Sequence, residues 1–281
     1  MLGHDLQKVF AQEDFVALSS KELDVTQKDA VFERLMTIQP NIVINAAGYT
    51  DVDGAETEQD KADLVNGYAA GILAKASREI GATLVHFSTD YVFDGKKTQG
   101  YVEEDKTSPI NAYGNSKELG EKLILEEMEY ESYPNQSAGK YFLIRTSWLF
   151  GLNGDNFVNT MLKLAAKQKR KRGGEITVVN DQVGKPTYTH DLAHQIKWLV
   201  ESKEYPSGIY HITNEGTTSW YEFAKAIFGL KNLPMDVIPC SSAKYAAMAK
   251  RPAHSALINT KLPQLRPWQD ALLEYLTLYE N

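Results

Sequence analysis

The residue types best suited to chemistry lie between Ser88 and Lys117. The run Ser88-Thr89-Asp90-Tyr91-Val92-Phe93-Asp94-Gly95 leads through a polar loop to Pro109-Ile110-Asn111-Ala112-Tyr113-Gly114-Asn115-Ser116-Lys117. The short apolar stretch before it, Ala82 to Phe87, predicts a buried strand whose carboxyl end presents Thr89 and Asp90. Open α/β sheets place their ligands at that end. A helix starting at Pro109 or Asn111 puts Tyr113 and Lys117 four apart on one face. A hydroxyl, a phenol and an ammonium then converge, which is chemistry for moving a proton to or from a carbonyl oxygen. A free phenol titrates at about 10, and a neighbouring ammonium draws that value toward neutral pH.

Tyr-x-x-x-Lys alone is a weak signal, since Tyr221 and Lys225 repeat it. Context separates the two: Tyr113 follows a strand ending in Ser88-Thr89-Asp90, whereas Tyr221 follows Ser219-Trp220 inside a predicted helix. A lone threonine at a strand end is most often a cap. Beside the tyrosine helix, Thr89 also orients a carbonyl, and Asp90 and Tyr91 line the same pocket. Trp148, after Arg145-Thr146-Ser147, falls at another strand's carboxyl end. His86, His190, His194 and His211 lack metal-ligand spacing, and the chain has neither a Cys/His cluster nor a Gly-x-Ser-x-Gly elbow.

The elements that must position these residues alternate. Leu2, Leu6, Val9 and Phe10 have helical spacing, and Asp14 to Leu18 reads as a strand. The run Asp24-Val25-Thr26 is expected to cap a helix carrying Val31, Leu35 and Ile38 and stopped by Pro40. Asn41 to Gly48 reads as a strand ending in small residues, followed by a helix from about 60 to 80, the strand into Thr89, the Tyr113 helix and the strand Tyr141 to Arg145. This order predicts an α/β fold with a Rossmann-like, doubly wound parallel sheet. Residues 1–150 form the dinucleotide-binding part, with return segments near 180–213. Residues 151–179 and 214–281 form a smaller, irregular α+β substrate part. Across the half after Gly151, strands are read near 176–179, 208–213 and 235–239 and helices near 157–169, 189–202, 218–228 and 268–279. Gln136 and its neighbours read as a variable loop, and the basic run Lys167–Arg172 as a solvated helix end.

Composition narrows the class. The 281 residues can bury a large core in one or two domains. Thirty basic against thirty-seven acidic residues give a net charge of -7, which argues against a nucleic-acid footprint. No apolar run is long enough to span a bilayer. A single cysteine, Cys240, excludes an intrachain disulfide and fits a reducing compartment. The expectation is a cytoplasmic globular protein.

Several motifs in fixed order resemble the dTDP-4-dehydrorhamnose reductase family of extended short-chain dehydrogenase/reductases. They are Asn45-Ala46-Ala47-Gly48-Tyr49-Thr50, Ser88 to Phe93, Tyr113 to Lys117, Arg145 to Gly151, Asn156-Phe157-Val158, Asp181 to Thr187 and Arg251 to Ser255. The resemblance covers essentially the whole chain. It implies NADPH-dependent reduction of the C4 carbonyl of dTDP-4-dehydro-L-rhamnose to dTDP-L-rhamnose, the last step of nucleotide-rhamnose synthesis for cell-surface polysaccharide. By similarity Tyr113 donates the proton, Lys117 lowers its pKa and holds the nicotinamide ribose, and Thr89 steers the carbonyl. Asp90, Tyr91 and Trp148 contact the substrate. Leu2, Asp24, Val25, Ala47, Gly48, Tyr49 and Thr50 lie along the cofactor. Arg251 either pairs with the diphosphate or makes a structural salt bridge. NADH use, a homodimer and a bound Mg²⁺ also come with the resemblance. Ser19, Ser20 and Lys21 are candidates for a 2′-phosphate.

The chain departs from the family at its start. Members open with a strand and a Gly-x-x-Gly-x-x-Gly turn that holds the pyrophosphate, whereas Met1-Leu2-Gly3-His4-Asp5-Leu6 resembles only the last glycine and the helix after it. A missing central strand is expected to leave a gap or draw its neighbours together, and to weaken the pyrophosphate cradle. Two rivals follow: a non-catalytic relative that keeps the fold for partner binding, as the regulatory β-subunit of methionine adenosyltransferase does, and a nucleotide-sugar epimerase or dehydratase.

Overall fold

The computed structural model describes residues 1–129, 139–168, 174–245 and 247–279. The loop expected around Gln136 and positions 169–172 of the basic run lie outside them. Helix α1 (Leu2–Val9) buries Leu2 and Leu6. Helix α2 (Lys28–Ile38) turns Val31 and Leu35 inward and ends at Gln39, in the left-handed region just before Pro40. Then come β1 (Ile42–Asn45), α3 (Gln59–Ala62), a π-helical turn (Asp63–Tyr68) and α4 (Ala69–Glu79). β2 (Thr83–Thr89), α5 (Ala112–Met128) and β3 (Tyr141–Thr146) follow. The chain continues through β4 (Leu149–Phe150), α6 (Phe157–Gln168), β5 (Gly174–Val179), β6 (Val183–Gly184), β7 (Thr187–Tyr188) and α7 (Thr189–Glu201). It closes with β8 (Gly208–His211), β9 (Thr218–Ser219), α8 (Trp220–Leu230), β10 (Met235–Cys240), α9 (Ser242–Tyr245) and α10 (Trp268–Leu278).

The main sheet is parallel throughout, in the order β1-β2-β3-β8. Parallel strands covered on both faces need apolar side chains on both, which is what the run Leu84-Val85-His86-Phe87 supplies. Val85 and Phe87 pack with Phe142 and Ile144 against Leu2 and Leu6 of α1 and Leu192 and Ile196 of α7. Leu84 and Leu143 face the other way, onto Val31, Leu73 and Ile124 of α2, α4 and α5. Each such burial contributes about 1.5–3 kcal/mol. The register pairs Thr89 with Thr146 and Asn45 with His86, so the segments after β1, β2 and β3 leave the sheet at one edge. A further core gathers Phe150, Val158, Phe223, Leu272 and Tyr275 from β4, α6, α8 and α10, next to the parallel pair β5–β10.

Three expectations are corrected. Residues 14–18 do not form a strand: Phe15 and Val16 are 43% and 54% exposed, and no pairing joins this stretch to β1 among the described residues. A lone extended segment, with no neighbour to take its N–H and C=O groups, gains nothing over hydration. The helix expected from 60 to 80 is interrupted by the π-helical turn. Asp24 does not cap α2; it accepts hydrogen bonds from the backbone and hydroxyl of Thr26 at 3.0 and 2.8 Å, and Gln27 precedes the helix with no side-chain cap.

Candidate active site

The tyrosine helix starts where its polar residues dictate. Asn111 caps α5 by accepting from Gly114 N–H at 2.7 Å, and the Glu56 carboxylate accepts from Ala112 N–H at 2.9 Å. Two donors of the first turn are thereby satisfied. Gly114 lets this turn sit directly on the strand end, since a Cβ there would lie 2.3 Å from the Tyr91 carbonyl oxygen.

Tyr113 and Tyr91 meet edge to face, their ring centres 5.8 Å apart. Burial pushes the Tyr113 phenol up to about 12; the Thr89 hydroxyl draws it back and the Asp90 charge raises it further. The phenol therefore carries its proton at neutral pH. It is Thr89, rather than Lys117 as the spacing suggested, that pulls the phenol downward here. The Lys117 ammonium donates to the Phe87 carbonyl at 3.1 Å, and burial brings it down to about 8 against the opposing charge of Glu121. Glu121 is itself held under the site by the buried Arg145, at 2.9 and 2.7 Å, and by the Ser88 hydroxyl at 2.5 Å.

The backbone after β1 reaches Lys117. A Cβ on Gly48 would lie 3.2 Å from Lys117 Nζ and 3.3 Å from Asn66 Oδ1, so glycine leaves open the space in front of the amine. Asn66, in the π-helical turn, accepts from Tyr49 N–H and donates to the Tyr49 carbonyl and the Ser116 hydroxyl, all at 2.9 Å. Asn45 accepts from Ala47 N–H at 3.1 Å and bonds His86 Nδ1 at 3.0 Å. The stretch Ala47–Thr50 is thus held by side chains that sequence reasoning did not single out. For Asn66 the available signal was a lone amide within an otherwise Ala/Leu-rich helical pattern.

Asp90 is buried, and its carboxylate accepts from the hydroxyls of Ser255 at 2.5 Å and Thr89 at 3.1 Å and from its own backbone N–H. Burial pushes its carboxyl up to about 7. Ser255, absent from the expected site, arrives from the Arg251–Ser255 motif. Arg251 makes the salt bridge that was one of its two readings, with Asp53 at 2.9 Å. Trp148 has φ 47° and stacks on Trp220 at 3.5 Å; a Cβ on Gly184 would run into its ring.

Other expected residues stand apart. Leu2 puts its side chain into the core under the sheet. Asp24 turns back on Thr26, and Val25 packs on the core of α2 and α4. Ser19 donates through its amide and hydroxyl to Glu22 at 2.8 and 2.7 Å, so a carboxylate already occupies the place suggested for a 2′-phosphate. The decoy pair Tyr221 and Lys225 is an ordinary helix-surface pair: the amine lies 5.1 Å from the ring centre and binds Glu222. Among the described residues no three or more His, Cys, Asp or Glu side chains group as metal ligands, and no helix is long and apolar enough to cross a membrane.

The family described as "RmlD substrate binding domain" matches residues 1–281. A spore coat polysaccharide biosynthesis protein, SpsK, of Bacillus subtilis is 41% identical, aligned over 98% of this chain and 93% of the relative. A dTDP-4-dehydrorhamnose reductase of Aggregatibacter actinomycetemcomitans is also 41% identical, over 96% of this chain and 93% of the relative. A crystal structure of the Bacillus anthracis dTDP-4-dehydrorhamnose reductase in complex with NADP superposes with a TM-score of 0.90 at 39% identity, covering 99% of this chain and 95% of that one. The fold, the order of the motifs and these likenesses place the chain in the dTDP-4-dehydrorhamnose reductase family.

Proposed function

We propose that this protein reduces the C4 carbonyl of dTDP-4-dehydro-L-rhamnose to dTDP-L-rhamnose with NADPH, in the cytoplasm, as the last step of nucleotide-rhamnose formation for surface polysaccharide. The convergence of Thr89, Tyr113 and Lys117 at the carboxyl edge of the sheet carries this reading.

The residues present fit a nicotinamide dinucleotide at one point above all, the open space at Gly48 facing the Lys117 amine. There Lys117 and the backbone of Ala47, Gly48, Tyr49 and Thr50 would hold the ribose, with Leu2 at the start of α1 nearer the pyrophosphate and Asp24 and Val25 toward the adenine. When bound, the reduced nicotinamide supplies a hydride to the carbonyl carbon. Thr89 donates a hydrogen bond to the carbonyl oxygen and fixes its direction. Tyr113 delivers its proton to that oxygen as negative charge develops there. A phenol at about 12 keeps its proton from water at pH 7 and yields it to the far more basic alkoxide. Asp90, Tyr91, Trp148 and Arg251 would bound the sugar-diphosphate side. NADPH rests on the relative solved with NADP; Ser19 held by Glu22 offers the 2′-phosphate no preformed cradle. A homodimer is part of the proposal, whereas among the described residues no cluster of His, Cys, Asp or Glu supports Mg²⁺. In this reading residues 1–150, with return segments near 180–213, bind the dinucleotide, and residues 151–179 and 214–281 hold the sugar.

The test is incubation of the protein with dTDP-4-dehydro-L-rhamnose and either NADPH or NADH. Oxidation of the cofactor with matching appearance of dTDP-L-rhamnose by NMR is expected, faster with NADPH. No oxidation with either cofactor would reject the reading in favour of a fold kept for partner binding.

A further inference from the structure

A short turn after β1 ties together three parts of the pocket. The 3₁₀ turn Gly54–Glu56 follows the Ala47–Thr50 backbone, and its Glu56 caps the helix that carries Tyr113. Asp53, preceding the turn, reaches the opposite way. Its Oδ1 accepts from Ala249 N–H at 2.8 Å and Arg251 Nη1 at 3.1 Å, and its Oδ2 from Arg251 Nη2 at 2.9 Å. The guanidinium also donates to the Ala249 carbonyl at 3.1 Å and acts on the Tyr91 phenol, whose ring abuts Tyr113. Asn111 adds a bond to the Lys250 carbonyl at 2.8 Å. Residues 249–251 are thereby fastened to the loop after β1, the start of α5 and the turn after β2.

The side chains of Arg251 and Asp53 keep 21% and 43% of their exposure. The carboxylate end of the pair is wet, so water screens its contribution to stability. Its two parallel N–H···O bonds instead fix direction. We propose that Asp53 is a positioning residue for the reduction: it clasps Arg251 and the backbone of 249–251 against the Tyr91–Tyr113 side of the pocket. This rests on the reading that Arg251 and Tyr91 face the sugar nucleotide. Without Asp53 the arginine loses its orientation and the segment loses one anchor, so substrate binding suffers while the acid–base pair stays in place.

The experiment compares the full chain with D53N and D53E by steady-state kinetics, by calorimetric binding of dTDP and of NADPH, and by hydrogen exchange over residues 247–258. D53N is expected to raise KM for the sugar nucleotide and Kd for dTDP by about tenfold, with kcat within about threefold. NADPH affinity stays unchanged, exchange in 249–255 quickens, and D53E recovers part of the loss. Unchanged KM and dTDP affinity, unchanged exchange, or an equal loss of NADPH affinity would each overturn the proposal. Wild-type protein that neither binds dTDP nor turns over sinks the reductase reading itself. Faster exchange in D53N would then leave the clasp as a structural tie and overturn its role in catalysis.

Discussion

Burial acts on three ionisable groups around Thr89, each time against the charged form. The Tyr113 phenol and the Asp90 carboxyl are raised, and the Lys117 amine is lowered. Asp90 gives the most direct test of this balance, because neutral donors, the Ser255 and Thr89 hydroxyls and its own backbone N–H, are what offset its desolvation. Its folded value of about 7 lies above the ordinary 3.8, so the folded state holds its proton after the unfolded chain has released it. Wild-type stability therefore declines as pH rises from about 4 to 7 on account of this group. Asp90→Asn does not titrate, so its melting temperature should gain on wild type between pH 5 and pH 8. A gap independent of pH, in thermal melts followed by circular dichroism, would show that Asp90 ionises freely in the folded protein. At this scale the sequence revealed the residues whose spacing is local. Tyr113 and Lys117 share a helix face, and Thr89 ends the strand before them. Asn66, Glu56 and Ser255 stayed hidden because their partners lie 17, 56 and 165 residues away, and no periodicity links such positions.

Elements follow pattern where a neighbour completes them. β2 and β3 were legible because apolar residues on both faces meet helices on both sides. Residues 14–18 have equally strand-like composition, yet strand formation depends on a partner that composition cannot reveal. The interruption of the helix at 63–68 is likewise tertiary: Asn66 turns its amide onto Tyr49, and its carbonyl lies against Gly120 of α5. The difference between the exposed stretch and the core is measurable. Phe15→Ser should change the unfolding free energy by no more than about 0.5 kcal/mol, as at other exposed sites. Phe223→Ala, in the core of α6, α8 and α10, should cost about 3–5 kcal/mol. Urea titrations of both variants decide it, and a Phe15→Ser loss as large as the core one would mean that the stretch is paired in solution.

For the whole molecule, the alternation of strands and helices predicted the parallel sheet, and the sheet brings its carboxyl ends to one edge. What alternation could not show is how the later part of the chain returns to that edge. Residues 249–255 do so through Asn111, Asp53 and Asp90, joining the strand ends to the segment that follows β10. The site is therefore a property of the complete fold, assembled from residues 45 to 255, with Tyr113, the proposed proton donor, at its centre. The measurement that bears most directly on this account is turnover of dTDP-4-dehydro-L-rhamnose by wild type and by Tyr113→Phe at equal NADPH occupancy, checked by a binding isotherm. Wild type should reduce the sugar, and the variant should bind NADPH as tightly while turning over about 10²–10⁴-fold more slowly. Turnover of Tyr113→Phe within a few-fold of wild type, or a wild-type protein that binds NADPH and leaves the sugar unreduced, would contradict it.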